Sequence, residues 1–503
     1  VAVTQKRGNK DAAGPQEETF QSMNPATGEV VGTYPMMGKT EVNAAVARAR
    51  DAFAWWQSIG WDGRKKKLNA FKGEIARNLE ELSRLIHEEN GKPYADAFLE
   101  CAMSIEHLNW AAGHAKKTLG RRGVPSGMLL LNHASYLEYQ AFGVIGVIGP
   151  WNYPVFTPMG SIAYALAAGN AVVFKPSEYT PAVAKWLEAA CARAIPEAPV
   201  LQVVTGLGAT GGALCASGVN KIAFTGSAPT GKKVMAACAE TLTPVLMELG
   251  GKDALIVTDD ADLDEAATAA VWGGLQNAGQ ACISVERVYA TEGIYDALVE
   301  KIISAAGRVK AGSDEDSDIG PITMPRQRDI IAAHLDDAFK RGGRAVVGGP
   351  DAVRGAFVDP VVLVDVPEDS DAIQKETFGP TLPVMKVRDV DEAIEKANGT
   401  PYGLASAVFA KKRALEIASR LRAGMTSINS VAAYAGVASL PFGGVGDSGF
   451  GRIHGEDGLR EFTRAHAITK KRFNTPLDIM TFDRNPKLIP RVTKLLKLVH
   501  GRG

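Results

Sequence analysis

Two residues 34 positions apart offer the reactive groups of this sequence, a carboxylate at Glu248 and a thiol at Cys282, each close to glycine. Glu248 ends the apolar run Val245-Leu246-Met247, which reads as a strand, and Gly250-Gly251 breaks that strand soon afterward. Cys282 follows Gly279 on a turn where backbone amides can meet an incoming oxygen. Thiolate chemistry needs such a place, partly exposed, with local dipoles that lower the thiol pKa below its free value. A carboxylate at the mouth of the same cleft would serve as general base in the second half of a covalent mechanism. Taken alone, the pair reads more readily as a buried cysteine and a surface glutamate that never meet. The elements around them decide.

Short apolar strands at Val144–Ile148, Ala171–Phe174, Leu201–Val204, Lys221–Phe224 and Val245–Leu249 alternate with helical segments, the pattern of a parallel sheet with helices on both faces. Ligands in that architecture bind at the carboxyl ends of the strands. There the first strand is followed by Gly149-Pro150-Trp151-Asn152-Tyr153-Pro154, a stiff loop from which the Asn152 amide can donate to a developing oxyanion. The plainer alternative is a turn asparagine bonded to its own backbone. Lys175 and Glu178 follow the second strand, either holding ribose hydroxyls or forming a solvated pair. Thr225-Gly226-Ser227-Ala228-Pro229-Thr230 follows the fourth, and its turn and helix start expose amides that suit a phosphate. That loop does not have the spacing of the usual Gly-x-Gly-x-x-Gly fingerprint.

A second α/β unit follows Gly251, with strands at Ala254–Val257 and Val285–Ala290 and helices from Asp262 to Gln276 and Tyr295 to Val309. The glycine- and proline-rich stretches 312–321 and 342–360 interrupt it. Pro441 to Gly449 is too rich in glycine for a strand or helix and reads as a buried crossing loop. Upstream, Thr40 caps a helix whose apolar face is Val42, Val46, Ala49, Phe53 and Trp56, and one further helix carries Leu68, Phe71, Ile75, Leu79 and Leu82 to Asn90-Gly91. From Leu129 to Gln140 the mixed alternation suggests an extended arm.

The 503 residues imply more than one domain. Lysine plus arginine equals aspartate plus glutamate, 56 each, so no nucleic-acid partner is indicated. Five scattered cysteines without Cys-x-x-Cys spacing argue for a reducing compartment, with no disulfide framework and no metal site. A cytoplasmic location is the expectation, with residues 1–19 a disordered arm.

In order, Asn24-Pro25-Ala26-Thr27-Gly28-Glu29, Pro150-Trp151-Asn152-Tyr153-Pro154, Phe174-Lys175-Pro176-Ser177-Glu178 and Phe224-Thr225-Gly226-Ser227 resemble motifs of the NAD(P)-dependent aldehyde dehydrogenase superfamily. So do Glu248-Leu249-Gly250-Gly251-Lys252, Gly279-Gln280-Ala281-Cys282, Glu376-Thr377-Phe378-Gly379-Pro380 and Pro441-Phe442-Gly443-Gly444. The resemblance spans about residues 20 to 473. It implies that Cys282 attacks the aldehyde carbon, that Asn152 and the Cys282 N–H form the oxyanion hole, and that Glu248 activates the water that releases the acid. It implies adenosine-ribose contacts from Lys175 and Glu178, a pyrophosphate loop at Gly226 and Ser227, and nicotinamide contacts from Glu376 and Phe378. Gly208 and Gly212 match the adenine side, and Ile148, Trp151, Ser177, Phe224, Thr230 and Leu249 complete the implied cofactor seat. Glu178, which accepts from a 2′-hydroxyl and repels a 2′-phosphate, favours NAD over NADP.

The implied fold is α/β and aldehyde dehydrogenase-like. It comprises a Rossmann-like NAD-binding domain (20–122 and 143–250), an α/β catalytic domain (251–463) and a β oligomerisation arm (123–142 and 464–474) that builds a homodimer or homotetramer. Coenzyme-A-acylating relatives usually lack the glutamate of the Glu-Leu-Gly-Gly motif, so Glu248 argues against that alternative; a non-catalytic scaffold is opposed by Cys282, Asn152 and Glu248 together. The substrate is a small-molecule aldehyde, and Tyr153, Val155, Phe156 and Ile283 lean toward an uncharged, moderately hydrophobic one. Beyond the resemblance, the tail 475–503 carries Leu488, Val492, Leu495 and Val499 at helical spacing, with Lys487, Arg491, Lys494 and Lys497 mostly on another face. Docking of 486–500 within the oligomer, on the enzyme's own surface or a neighbouring subunit, is the expectation, with peripheral membrane contact as the alternative.

Overall fold

The structure is a computed structural model that describes residues 18–314, 316–475, 480–483 and 485–501. Two compact units emerge, one of the residues up to Thr118 with Ala141–Thr463, the other of Leu119–Gln140 with the chain from Arg464 onward.

The first unit holds two sheets. Val144–Ile148, Ala171–Lys175, Leu201–Val203, Lys221–Thr225 and Val245–Glu248 run parallel, and Val144–Ile148 lies between Ala171–Lys175 and Lys221–Thr225. Strand order therefore reverses on either side of Val144–Ile148, where such sheets open a ligand crevice. Helices Phe156–Ala167, Pro181–Ala194, Gly208–Cys215 and Ala228–Ala239 make the crossovers. The strands are apolar runs because both faces are covered. Pro441–Gly449 is not wholly a crossing loop. It contains a 3-10 turn, Gly446–Ser448, and leads into Gly449–Phe450, which pairs antiparallel with Val245–Glu248 and sets Gly449 opposite Glu248. A Cβ at Gly449 would lie 2.0 Å from the Met247 carbonyl oxygen, so the glycine that suggested a loop is what lets a strand close in.

In the second sheet Asp253–Val257 pairs with Val285–Thr291 and Ala405–Phe409; Thr381–Val387, Val361–Val364 and Met425–Ile428 extend it in parallel, and Arg344–Val347 adds an antiparallel edge. That edge strand falls within 342–360, read from sequence only as an interruption. Separate apolar clusters cover the two faces, one including Ile256, Ile331 and Val361, the other Leu255, Val271 and Leu298. Four residues, Leu249 to Lys252, join Glu248 of the first sheet to Asp253 of the second, so the carboxylate stands at the junction.

Upstream, two helix expectations are corrected and one helix is new. The first helix is Lys39–Ser58 with Gly38 at its N-cap, where Glu41 accepts from the Gly38 N–H at 2.9 Å; Thr40 lies inside it. The single helix through Leu68 and Leu82 is two, Gly60–Arg77 and Leu79–Asn90, divided at Asn78, whose φ of -117° and ψ of 31° are not helical. The 26-residue helix Tyr94–Leu119 was not read from the sequence at all. Of the arm expected over 1–19, residues 1–17 lie outside the described residues, and Thr19 already begins the strand Thr19–Met23.

In the second unit a three-stranded sheet runs in the order Thr463–Lys471, His133–Ala141, Arg122–Val124. A 3-10 turn, Met128–Leu130, precedes the middle strand. Glu138 ties the sheet's surface together, accepting from Arg121 Nε at 2.6 Å and lying 3.0 Å from His466 Nδ1. The tail forms the helix Leu488–His500, with Pro490 in its first turn. Among the apolar side chains of the stripe Leu488 is buried, whereas Leu495 and Val499 are exposed in the single chain. Among the described residues no helix is long and apolar enough to cross a membrane.

Candidate active site

Asn152 is buried on the loop after Val144–Ile148, and its Nδ2 donates to the Gln280 carbonyl at 3.0 Å, two residues before Cys282. Its partner lies across the fold, not on its own turn. Asn277 reinforces the contact by donating to both the Asn152 carbonyl at 3.1 Å and the Gln280 carbonyl at 3.2 Å. An amide has two N–H bonds, so one remains for a further acceptor.

The turn carrying Cys282 is strained and held. Asn277 and Ala278 have φ of 51° and 55°, and Gly279 has φ of 70°. A Cβ on Gly279 would sit 2.0 Å from the Gly379 carbonyl oxygen. Gln280 clamps the turn, donating to the carbonyls of Asn277 at 2.9 Å and Pro321 at 3.2 Å and accepting from the Thr323 N–H at 2.9 Å. Left-handed backbone at non-glycine residues persists only where its surroundings over-determine it.

Glu248 is 3% exposed and its Oε1 has no hydrogen-bond partner among the described residues. Burial pushes its carboxyl well above the usual carboxylate range, Arg452 opposes that, and Glu461 adds to it. A Cβ on Gly443 would lie 2.7 Å from Glu248 Oε1 and 3.0 Å from Arg452 Cδ, so the Pro441–Gly444 motif lies directly against the carboxylate. Cys282 is half-buried, its side chain crowded while part of the residue meets solvent. Its carbonyl abuts Gly251, where a Cβ would lie 2.6 Å away. The expected lowering of the thiol pKa is absent. Burial raises it, and the nearby charges of Glu248, Asp253 and Glu376 raise it further. Glu248 at a strand end and Cys282 and Asn152 on two loops thus come together from three stretches of the chain.

The dinucleotide candidates line the carboxyl edge of the first sheet. Ile148 and Lys175 end their strands, Phe224 precedes the end of its own, and Leu249 follows Glu248. Lys175 Nζ is 3.8 Å from Glu178, and Ser177 Oγ donates to Glu178 at 3.3 Å. Burial lowers the Lys175 pKa and Glu178 offsets part of the shift. Gly226 sits at the strand-to-helix turn, and Ser227, the N-cap of Ala228–Ala239, bonds only Thr230 Oγ1 with its hydroxyl, at 3.1 Å, leaving the helix start without a side-chain cap. Such an end suits a phosphate. Positions 208 and 212 face open space.

On the opposite wall Trp151 packs edge-on against Phe378, ring centroids 5.6 Å apart. Glu376 accepts from the Gly251 N–H at 3.0 Å, and burial, then Glu286, push its carboxyl up to about 8. Phe378, at φ of 52°, is held there by Glu286, which accepts from the N–H groups of Thr377 at 2.8 Å and Phe378 at 2.9 Å and from Lys252 Nζ. These residues fit a dinucleotide, with a phosphate seat on one side and a carboxylate beside an aromatic ring on the other.

Sequence reasoning missed the supporting residues: Asn277, Gln280 as a clamp, Glu286 and Asp253. It also missed Glu100, which accepts from the N–H groups of Val155 at 2.8 Å and Phe156 at 3.0 Å and pairs with the buried Lys92. None stands in a distinctive spacing, because each acts through a partner remote in sequence.

Comparison with known proteins agrees with this geometry. The model of the Aldehyde dehydrogenase family matches residues 12–468. The glutarate-semialdehyde dehydrogenase of Pseudomonas putida is 36% identical over 451 residues, covering 88% of this chain and 93% of that protein. An NAD-dependent aldehyde dehydrogenase from Sinorhizobium meliloti superposes with a TM-score of 0.87 at 32% identity, covering 91% of this chain and 92% of that one. An NADP-dependent enzyme from E. coli superposes with a TM-score of 0.86 at 33% identity, covering 90% and 95%. The chain belongs to the aldehyde dehydrogenase family and is an NAD(P)-dependent, aldehyde-oxidising enzyme.

Proposed function

We propose that this enzyme oxidises an aldehyde to the carboxylic acid through a covalent intermediate on Cys282, released by water that Glu248 activates. The observation that supports it is the bond from Asn152 Nδ2 to the Gln280 carbonyl, which ties the amide to the turn of Cys282, a residue whose thiol feels the charge of Glu248. In this reading Cys282 Sγ attacks the aldehyde carbon. The remaining Asn152 N–H and the Cys282 backbone N–H receive the developing oxyanion, a contribution of about 3 kcal/mol. Bound NAD(P)+ supplies the acceptor for the hydride whose departure leaves a thioester. Glu248 then takes a proton from water, which attacks the thioester carbon and frees the thiol and the acid.

Lys175 and Glu178 hold the adenosine ribose, Ser227 and Thr230 border the pyrophosphate at Gly226, and Glu376 and Phe378 hold the nicotinamide half. On this reading 20–122 with 143–250 bind the dinucleotide, 251–463 are the catalytic domain, and 123–142 with 464–474 assemble a homodimer or homotetramer. Glu178 makes NAD the preferred cofactor; Glu178→Ala should lower the ratio of kcat/KM for NAD over NADP, and an unchanged ratio would remove that residue's part. The substrate is an uncharged, moderately hydrophobic aldehyde, consistent with Tyr153 and Tyr434, both electrostatically coupled to Cys282, and with Phe442 packed 6.4 Å from Tyr434.

Pre-steady-state NADH absorbance tests the mechanism. Glu248→Gln should show a first-turnover burst and then stall, and Cys282→Ala should form no acid while still binding NAD. Glu248→Gln turning over steadily would sink the deacylation role, and release of acyl-coenzyme A when coenzyme A is added would favour the acylating relatives.

A further inference from the structure

The helix Leu488–His500 lies beyond residue 468, where the family match ends, and neither the cofactor seat nor the chemistry uses it. At 100° per residue its aliphatic side chains fill about half the circumference, from Leu498 through Leu495, Val499 and Val492 to Ile489. Lys487, Lys494 and Lys497 occupy the other half, with Arg491 at the border, and from Asn485 to Gly501 there is no acidic residue. Leu488 is buried in the first turn. Ile489, Leu495, Leu498 and Val499 are 57%, 39%, 65% and 51% exposed, and the ring of Phe482 just upstream is fully exposed. A thirteen-residue helix is marginal in water without an apolar cover, and the described residues leave most of this face open.

We propose that this helix is a peripheral anchor that docks on an anionic lipid surface. The charge pattern selects that partner. Four cations without an anion are drawn to acidic headgroups, whereas a second copy of this chain carries no net charge to attract them. The wide aliphatic arc suits burial about 5–10 Å deep, at the boundary of headgroups and acyl chains. Phe482 adds an aromatic side chain at the interface. Thirteen residues reach only about 20 Å, short of the ~30 Å hydrocarbon core, so the helix lies on the surface rather than crossing it. Binding through one short helix is reversible, and it would hold the enzyme where lipid-dissolved aldehydes are concentrated.

Co-sedimentation of the full chain with phosphatidylcholine–phosphatidylglycerol vesicles, against pure phosphatidylcholine, is the test. Binding should require the anionic lipid and weaken with added salt. Lys494→Gln and Lys497→Gln should each lower the partition coefficient about fivefold. The pair Leu495→Ser with Leu498→Ser should lower it tenfold or more, by roughly the transfer of two exposed leucines. All four changes lie outside the catalytic machinery and should leave turnover of a water-soluble aldehyde as it is. No binding to either vesicle would overturn the proposal. So would binding that ignores these substitutions. If the leucine pair lowered the mass seen by light scattering and left vesicle binding alone, the cover would be a second copy and the lipid assignment would fall.

Discussion

At the scale of single residues, burial and charge set the resting state. With its thiol raised by burial and three carboxylates, Cys282 rests protonated, so reaction must begin by removing that proton. Glu248 can act as a base only when ionised, and its raised pKa places the acidic limb of steady-state turnover well above the ~4.3 of a free glutamate. Two neighbours tune that limb in opposite senses. Arg452 favours the carboxylate; Glu461, whose Oε1 would lie 3.2 Å from a Cβ on Gly451, disfavours it. Glu461→Gln should move the limb to lower pH and Arg452→Gln to higher pH, each by about one unit or less, read from a kcat–pH profile. Shifts in the same direction would mean the substitutions act through structure alone.

The same burial has a stability consequence. A folded-state carboxyl pKa above its unfolded value gives stability that is full below the unfolded pKa and is lost as pH rises through the folded one. Glu248→Gln should therefore raise Tm at pH 8, with the gain shrinking toward pH 5, in calorimetric scans. Asn152→Ala should lower kcat by about 10²–10³-fold while near-UV circular dichroism stays that of the wild type.

At the scale of elements, loops clamped by remote side chains position the chemistry. Glu286 on Val285–Thr291 holds the backbone of Thr377 and Phe378 and neutralises the buried Lys252. Glu286→Gln should raise KM for NAD about tenfold with a smaller change in kcat, because it loosens the Glu376–Phe378 loop without touching the thiol. It should also lower stability by roughly 3–5 kcal/mol, the cost of leaving a buried cation unpaired, measurable by urea denaturation. The strand ends and glycine turns beside these clamps were readable, since a buried parallel strand is a continuous apolar run closed by glycine or proline. The helix Tyr94–Leu119 was not. It opens directly after the short Gly91–Pro93 link, and although Ala97, Glu100, Cys101, Ser104 and Leu108 share one buried face, polar and small residues occupy much of that face while Phe98 and Leu99 are exposed, so hydrophobicity did not announce it.

At the scale of the whole molecule, the sheet of the second unit has the strand Thr463–Lys471 at one edge, with most of its side chains exposed. An uncapped edge is a template for pairing with another chain. Light scattering should give a mass of two or four 53.2 kDa chains, and a proline introduced into the edge strand, as in Ala467→Pro, should shift it toward one. A wild-type monomer would refute assembly through this edge.

The sequence alone determined the five parallel strands of the first sheet in chain order, the glycine turns that end them, and Cys282, Glu248 and Asn152 as the candidate reactive groups, because strand periodicity and turn chemistry are local properties of the chain. It also marked candidate dinucleotide contacts by motif. Only the tertiary structure decided that the Asn152 amide bonds the turn of Cys282, that Gly449 is a strand, that the tail's apolar face stays open, and that the thiol is raised rather than lowered. Desolvation and Coulomb energy depend on distances in space. Glu248, Asp253 and Glu376 come from three stretches of chain, and their combined charge on one sulfur exists only once the two sheets have brought them together.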